Sequence, residues 1–360
     1  MAWRVGGCQL LAKRLLSKLM RLPKNRYRDF ENKRIMYLEV GRPHLPPWVE
    51  RVEKVAESTE VVSFGNLTQI PMRHYFPERW MYILKNVTLE PASGDIFSPT
   101  GQLIFESTNW HSYFPNPFRR RKRIRESRIS NGFPFIYLPA SGYFHFLIED
   151  LPSFLATRYI YPQSDVLVAR ESPQYLIDVL EILGINPILV NSQVGVSELI
   201  LSSKGRDSGW ARPQDINILK DTFRSLSTEF KPESILYISR KKSLRSPRNE
   251  SQLIEVLEEN GVEIVFAEDM SMHQQIVKFS SARLLIGLHG AGLSNQVWMK
   301  PGMYVLEILD KAYFNICFEV LAKVSGLNYE SITFDTSNSD YGIPTSDVIK
   351  SVENIKAKMQ

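Results

Sequence analysis

The feature that most constrains the fold is the alternation of short apolar runs with amphipathic runs between residues 234 and 309. The apolar runs have the length of buried strands, and the runs between them repeat their apolar residues with a helical period. Strands that alternate with helices form a parallel sheet covered by helices, so this region is predicted to be an α/β unit. The predicted strands and helices follow one another at 234–240, 249–261, 262–268, 269–282, 283–290, 292–299 and 303–309. Ser or Asx residues are expected to cap the two longer helices, Asn249 or Ser251 the first and Asp269 or Ser271 the second.

A similar alternation, less regular, precedes this unit. Residues 86–107 combine extended runs with turn signals and predict a β-meander. A helix is predicted over 143–161, where Pro152 is expected to kink or restart it. Turn-rich residues 202–214 predict a boundary between this region and the next. Further strands are predicted at 132–139, 165–170, 185–191 and 198–203, with a helix at 173–184.

The fold class predicted from these patterns is α/β, with two Rossmann-like parallel-sheet domains that face each other across a cleft. A chain of 360 residues is long enough for two such cores. The predicted boundaries are an N-terminal segment and linker at 1–45, a first domain at 46–205, a second at 206–335 and a tail or helix at 336–360.

Positive charge is concentrated in two segments. Residues 1–28 carry a net charge of +8 and residues 119–128 carry +6, so the rest of the chain sums to −9. Residues 8–22 form a basic amphipathic pattern, which either lies on an anionic membrane or packs on the protein's own core. The run at 119–128 is expected to meet membrane phosphates or an anionic ligand, and nucleic acid is the disfavoured alternative, since few aromatic residues accompany it. No long apolar span or signal peptide is predicted, so a cytoplasmic protein, peripheral on the inner face of a membrane, is expected.

Two strand ends in the second domain carry anion-binding chemistry. The strand that ends at Arg240 leads into a basic loop with Arg245 and Arg248. The strand that ends at His289 leads into Gly290-Ala291-Gly292, where free backbone N–H groups at a helix start form an anion site. In an open α/β sheet, ligands bind beyond the carboxyl ends of the strands. The alternatives are a packing turn and a solvated loop.

The segment YFHFLIEDLP in the first domain carries the candidates for acid–base chemistry. His145 and Glu149 are four residues apart, on one face of the predicted helix. Asp150 points about a quarter-turn away, given roughly 100° per residue. A carboxylate held by a histidine at the edge of a cleft is what a general base requires. The alternative is a polar helix face that contacts water.

These segments resemble glycosyltransferase family 61. The resemblance is carried by HGAGLSNQVWMKPGMYVLEI, YISRKKSLRSPRNESQLIEVL and YFHFLIEDLP, in the order of the family, and covers about residues 85–335. It implies a GT-B fold, a UDP-sugar donor bound by the C-terminal domain, an inverting mechanism, and no metal or other cofactor. The absence of an Asp-x-Asp motif in the chain agrees with an enzyme in which basic side chains and a helix dipole stabilise the leaving diphosphate.

The resemblance also implies roles for particular residues. Glu149 is the predicted base with His145 as its partner, and Asp150 is the second choice. Glu307 is predicted to lie near the nucleoside and to accept hydrogen bonds from ribose hydroxyls. The roles of Arg245 and Arg248 are left open because Ser-Pro interrupts the arginine cluster. The residues predicted near the donor diphosphate are Arg240, His289, Gly290, Ala291, Gly292, Leu293 and Asn295.

The predicted reaction is a single displacement that moves a sugar to a glycan or glycolipid acceptor. The lack of a membrane anchor makes the chain look like bacterial members, which are associated with capsule or lipopolysaccharide. The alternatives are a retaining enzyme of the same architecture, whose usual second glutamate would fall on Asn315, and a non-catalytic protein that binds nucleotide sugars or polyanions.

Overall fold

The computed structural model describes most of the chain from residue 45 onward. The predicted membrane-binding segment 8–22, most of the basic run 119–128, and both Arg245 and Arg248 lie outside the described residues. The described residues are 35–36, 45–64, 71–76, 78–104, 128–139, 141–202, 209–227, 231–241, 247, 249–311, 315–334 and 342–359.

Strands of the first part of the chain form a mixed sheet and a hairpin. In chain order they are β1 (Ile35–Met36), β2 (Val49–Ala56), β3 (Thr59–Phe64), β4 (Pro71–Phe76), β5 (Arg79–Glu90), β6 (Asp95–Phe97), β7 (Leu103–Ile104), β8 (Arg128–Ile129), β9 (Phe135–Tyr137), β10 (Val166–Ala169), β11 (Ile188–Val190) and β12 (Val194–Ser202). The antiparallel run β5–β6–β7 is the predicted meander. Strand β12 joins the two kinds of pairing, because it is antiparallel to β5 and parallel to β9.

The parallel part of this sheet is built from strand–helix–strand units. Strands β9, β10 and β11 are parallel neighbours. The connections between them contain α1 (Tyr143–His145), a π-helical turn (Phe146–Asp150), α2 (Leu151–Ile160) and α3 (Gln174–Ile182). The helical path is continuous, and the π turn, not a break, precedes Pro152, which occupies an early position of α2 where its missing N–H costs little.

The second sheet is fully parallel across its described strands. It consists of β13 (Ser234–Ile238), β14 (Glu263–Val265), β15 (Ala282–Leu288), β16 (Tyr304–Asp310) and β17 (Asn328–Phe334). Its order is β14-β13-β15-β16-β17, so the direction of winding reverses between β13 and β15. In sheets of this order, ligands bind in the crevice at that reversal, outside the carboxyl ends of the strands.

Helices cover both faces of the second sheet. In chain order they are α4 (Pro213–Thr222), α5 (Arg224–Ser227), α6 (Glu250–Glu259), α7 (Met272–Ser280), α8 (Cys317–Ser325) and α9 (Thr345–Lys358). Ser271 caps α7 through a capping box with Gln274. Asn249 stands at the cap position of α6, but its side chain pairs with the backbone of Ile343. The run GLSNQVWM lies in a 3₁₀ helix (Ala291–Trp298).

The two sheets share one continuous apolar core. The largest cluster of buried side chains includes Leu176 of α3 and Ile276 of α7, one from each part of the chain. Helix α4 contacts α2 and α8, and its Asp215 accepts a hydrogen bond from Arg79 of β5. The helices between the sheets therefore pack into one core with residues of both parts of the chain.

Candidate active site

The turn after β15 lies against the end of β13. Arg240 Nη1 donates to the backbone carbonyl of His289 at 2.8 Å, so the guanidinium ties the two strand ends together. A Cβ at Gly290 would stand 3.2 Å from Arg240 Cζ, and one at Gly292 would stand 3.0 Å from Ile238 Cγ2. Close packing on Ile238 therefore explains why residue 292 is a glycine. The glycine at position 290 leaves space for the guanidinium of Arg240 beside the turn.

A buried carboxylate shapes the loop that carries Arg240. Glu250 is 1% exposed, and its Oε1 accepts from the Arg240 N–H at 2.5 Å and from the hydroxyls of Tyr237 and Ser239 at 3.1 Å each. Sequence reasoning missed this role, although the Asn-Glu pair that contains Glu250 belongs to the segment that carries the family resemblance. The carboxylate holds the backbone where β13 ends and thereby sets the direction in which Arg240 leaves the strand.

A second buried carboxylate orients His289. Glu307 Oε1 lies 2.5 Å from His289 Nδ1, and its Oε2 lies 2.5 Å from the Tyr329 hydroxyl. Burial raises the pKa of Tyr329 far above its usual range, so this hydroxyl keeps its proton and donates. An ionised carboxylate only accepts hydrogen bonds, so the Nδ1 of His289 is the donor in the other contact. The contact with Glu307 therefore requires a proton on Nδ1 of His289.

Three of the predicted donor-binding residues face inward. Glu307 is fully buried and both of its oxygens contact protein donors, so the geometry does not support the predicted contact with ribose hydroxyls. Asn295 is also fully buried and bonds to Tyr143 and Gln275. Leu293 packs on Gly287. The part of the turn that is not buried is its first four residues, His289, Gly290, Ala291 and Gly292.

Replacement of Glu307 by Gln should destabilise the protein by about 1–3 kcal/mol. A single amide oxygen cannot accept from both His289 and Tyr329, so one buried donor loses its partner. Urea titration of the free energy of unfolding measures the loss. The matched control is Glu330→Gln on β17, whose carboxylate makes an exposed ion pair with Lys358 and should change stability by less than about 0.5 kcal/mol. Equal stability of the two variants would contradict the role given to Glu307.

The second half of the site lies on the helix after β9. His145 Nδ1 lies 3.2 Å from Glu149 Oε1, as the four-residue spacing predicts, and both side chains are partly accessible. The same Glu149 oxygen accepts from the backbone N–H of Gly209. Strands β9 and β12 run in parallel side by side, so the segments that follow them, which contain Glu149 and Gly209, leave the sheet at one edge.

Gly209 is a residue that sequence reasoning missed. Its φ of +100° lies in a region that L side chains rarely adopt, and the turn signals around it did not indicate a contact with Glu149. A Gly209→Ala substitution should move this N–H away from the carboxylate and lower the rate of a reaction that uses Glu149 as its base by about tenfold to a hundredfold. Steady-state kinetics measure the effect. Gly132→Ala, at a surface turn with a φ of +85°, introduces similar backbone strain and should leave that rate unaffected.

Asp150 is directed away from Glu149. Its carboxylate is 2% exposed, accepts from the Ser141 hydroxyl, and lines a small cavity within the first sheet with Ser153 and Ser202. The geometry therefore favours Glu149 over Asp150 as the residue that reaches a ligand at the sheet edge.

Aromatic rings connect the two halves of the site. Phe144 contacts His145 at 5.3 Å and Phe318 at 5.5 Å between ring centroids, and Phe318 contacts His289 at 5.0 Å. The buried thiol of Cys317 lies within the electrostatic influence of carboxylates from both halves of the site. Burial raises its pKa, and the carboxylates of Glu307 and Glu149 raise it further. The predicted His145–Glu149 pair and the His289–Glu307 pair, which was not predicted, thus stand on opposite sides of one aromatic contact.

Glu319, in the first turn of α8, is a second residue that sequence reasoning missed. Burial, with the nearby Glu307 carboxylate, raises its pKa to about 7. The residue follows Phe318 directly, which places it beside the ring that contacts His289. Nothing in its local sequence distinguishes it from an ordinary acidic residue near a helix N-terminus.

Within the described residues, no group of three His, Cys, Asp or Glu side chains is arranged to hold a metal ion. Across the same part of the chain, no helix combines the length and apolar character needed to cross a membrane.

The fold is that of an α/β protein in which an arginine and a glycine-rich turn meet at the winding reversal of a parallel sheet. Residues 143–306 match the family model described as Glycosyltransferase 61. The matched region begins on the helix with Glu149 and includes the Arg240 loop and the His289 turn. This region, a little under half of the chain, is therefore similar to glycosyltransferase family 61.

Curated relatives align over shorter segments. The chain is 33% identical over 88 residues to the Arabidopsis thaliana protein "Beta-1,2-xylosyltransferase", which covers 24% of this chain and 16% of the relative. It is 27% identical over 158 residues to "Beta-1,2-xylosyltransferase RCN11" of Oryza sativa subsp. japonica, which covers 39% and 28%. It is 30% identical over 100 residues to "EGF domain-specific O-linked N-acetylglucosamine transferase" of Drosophila melanogaster, which covers 27% and 19%. The alignments thus span less than a third of each relative, and these plant and fly proteins do not support the predicted bacterial origin.

Proposed function

We propose that this protein is an inverting glycosyltransferase of GT-B architecture, which moves a sugar from a UDP-sugar to a hydroxyl of a glycan or glycolipid. The observation that carries the proposal is the convergence of two features across one packed interface. The turn at His289 and the guanidinium of Arg240 lie at the winding reversal of the second sheet. The Glu149 carboxylate contacts His145, whose ring packs on Phe144, and Phe144 in turn contacts Phe318 beside His289.

The proposed reaction is a single displacement. The acceptor hydroxyl attacks the anomeric carbon, and Glu149 takes its proton as the new C–O bond forms. The bond between the anomeric carbon and the phosphate oxygen breaks on the opposite face, so the configuration inverts and UDP leaves. Arg240, His289 and backbone N–H groups of the turn stabilise the charge that develops on the diphosphate.

The donor and the acceptor follow from chemistry and from the relatives. The names of the relatives make UDP-xylose and UDP-N-acetylglucosamine the first donors to test. The similarity to the family supports a glycan as the acceptor but does not indicate which glycan. Peripheral membrane contact through the basic segments 8–22 and 119–128, a location on the inner face of a membrane, and a role in capsule or lipopolysaccharide assembly remain further proposals about the setting of the enzyme.

A donor screen tests the proposed function. Purified full-length protein is incubated with a panel of nucleotide sugars and glycan acceptors, with divalent metal and with a chelator, and UDP release is measured. We expect acceptor-dependent release from one UDP-sugar that persists in the chelator. NMR of the product then gives the anomeric configuration, and retention would replace the single displacement by the retaining alternative. Nucleotide-sugar binding without transfer to any acceptor would instead identify a non-catalytic binding protein.

A further inference from the structure

A buried hydrogen-bond network joins the helix that carries Glu149 to the turn that follows His289. The Tyr143 hydroxyl lies 2.8 Å from Asn295 Oδ1 and 2.9 Å from Gln275 Oε1. Asn295 Nδ2 donates to Gln275 Oε1 at 2.9 Å and to the Gly292 carbonyl at 3.2 Å. Gln275 Nε2 donates to the Met270 carbonyl at 3.1 Å. Every polar atom of the two amide side chains therefore has a partner.

The network crosses the contact between the two sheets. Tyr143 begins the helical segment after β9, two residues before His145 and six before Glu149. Asn295 lies in the 3₁₀ helix that continues from the Gly-Ala-Gly turn, and Gln275 lies on α7. Asn295 is fully buried, Gln275 is 5% exposed, and burial raises the pKa of Tyr143 above its usual range, so its hydroxyl stays protonated and donates to an amide oxygen. Buried, fully satisfied networks of this kind rigidify the elements that they join.

We propose that Tyr143 is a positioning residue that sets the distance between the Glu149 carboxylate and the anion-binding turn, an inference that rests on the proposed function. One path of hydrogen bonds runs from Tyr143 through Asn295 to the Gly292 carbonyl, the last residue of the turn. The same tyrosine begins the helical segment that presents Glu149 at the sheet edge. The attacking oxygen and the leaving diphosphate must be in line, so the separation of base and turn governs the rate of the chemical step.

Tyr143→Phe removes one oxygen from this network and keeps the ring that packs on Tyr175. We expect kcat per folded enzyme to fall about tenfold or more, with the donor KM changed less than about threefold, because the turn still binds its ligand but the base is no longer held at the correct distance. The matched control is Tyr175→Phe, which removes a partly buried hydroxyl that donates to the Ser141 carbonyl and makes no hydrogen bond to Asn295. This control should keep both parameters within about twofold of wild type.

Hydrogen exchange of the same proteins gives a readout that does not depend on activity. We expect amide exchange over residues 289–299 to rise at least about threefold in Tyr143→Phe and to stay unchanged in Tyr175→Phe. Gln275→Met removes one of the two supports of Asn295 while the Tyr143–Asn295 bond remains, and it should give a smaller effect in the same direction. If Tyr143→Phe does not fold, Gln275→Met still tests the proposal.

The outcomes separate the two proposals. If the wild-type protein transfers no sugar from any donor, the proposed function fails, and the exchange data still test whether Tyr143 orders the turn. If the wild type transfers sugar and Tyr143→Phe matches Tyr175→Phe in kcat and in exchange over 289–299, the positioning role is wrong. A loss of melting temperature with unchanged kcat per folded molecule would likewise reduce Tyr143 to a stabilising residue.

Discussion

Replacement of Glu149 by Gln should lower sugar transfer by about 10²- to 10⁴-fold, the range that a positioned general base contributes. The amide keeps the shape of the carboxylate, and its oxygen can still accept from the Gly209 N–H. It cannot take a proton from the acceptor hydroxyl, so kcat should fall. Binding of UDP, measured by calorimetry, should remain within about threefold of wild type because the proposed nucleotide site at the His289 turn lies on the other side of the Phe144–Phe318 contact.

The adjacent Asp150 offers the matched control for this prediction. Asp150→Asn changes a carboxylate of the same helical segment. This carboxylate accepts from Ser141 and lines the small cavity with Ser153 and Ser202. It should retain transfer within about tenfold of wild type. Loss of activity in Asp150→Asn together with full turnover in Glu149→Gln would reverse the assignment of the base.

Replacement of Arg240 by Ala should weaken UDP binding by about 10- to 100-fold and lower transfer by about 10²- to 10³-fold. The guanidinium supplies positive charge beside Gly290 and also holds the carbonyl of His289, so its loss removes the proposed phosphate contact and loosens the turn. Calorimetry with UDP and initial-rate kinetics separate the two effects.

Two variants of the same loop sharpen this test. Arg240→Lys keeps a charge but loses the planar fork, so it should recover only part of the affinity. Lys241→Ala removes the next cation of the loop, whose side chain is exposed, and should change UDP affinity by less than about threefold. If Lys241→Ala weakened binding as much as Arg240→Ala, the loop would act only through its overall charge.

Much of the architecture is predictable from local patterns. The strands and helices between residues 234 and 309 were predicted at nearly their observed positions, because the period of apolar residues depends on which face of an element is buried. The His145–Glu149 pair was predicted for the same reason, since a four-residue spacing places two side chains on one helix face whatever the helix packs against. The meeting of the turn after β15 with Arg240 at one edge of the sheet was predicted from the parallel strand pattern, and anion binding by this turn stays a prediction.

The direction in which individual side chains point could not be predicted in this way. Glu307 was expected to face a ligand and instead accepts from His289 and Tyr329, because β17 lies beside β16 and brings a hydroxyl to the carboxylate. Asn295 was expected near the donor and instead bonds to Tyr143, a residue more than 150 positions earlier in the chain.

The physical reason for this division lies in the range of the interactions. Spacing in the chain determines which residues share a face of a helix or an edge of a sheet, and these were the correct predictions. Contacts such as Gly209 with Glu149, or Phe318 with His289, form only when elements distant in the chain pack together. Local sequence patterns therefore determine the individual elements of the site, such as the His145–Glu149 pair. The shared core of the two sheets determines how these elements are arranged around each other.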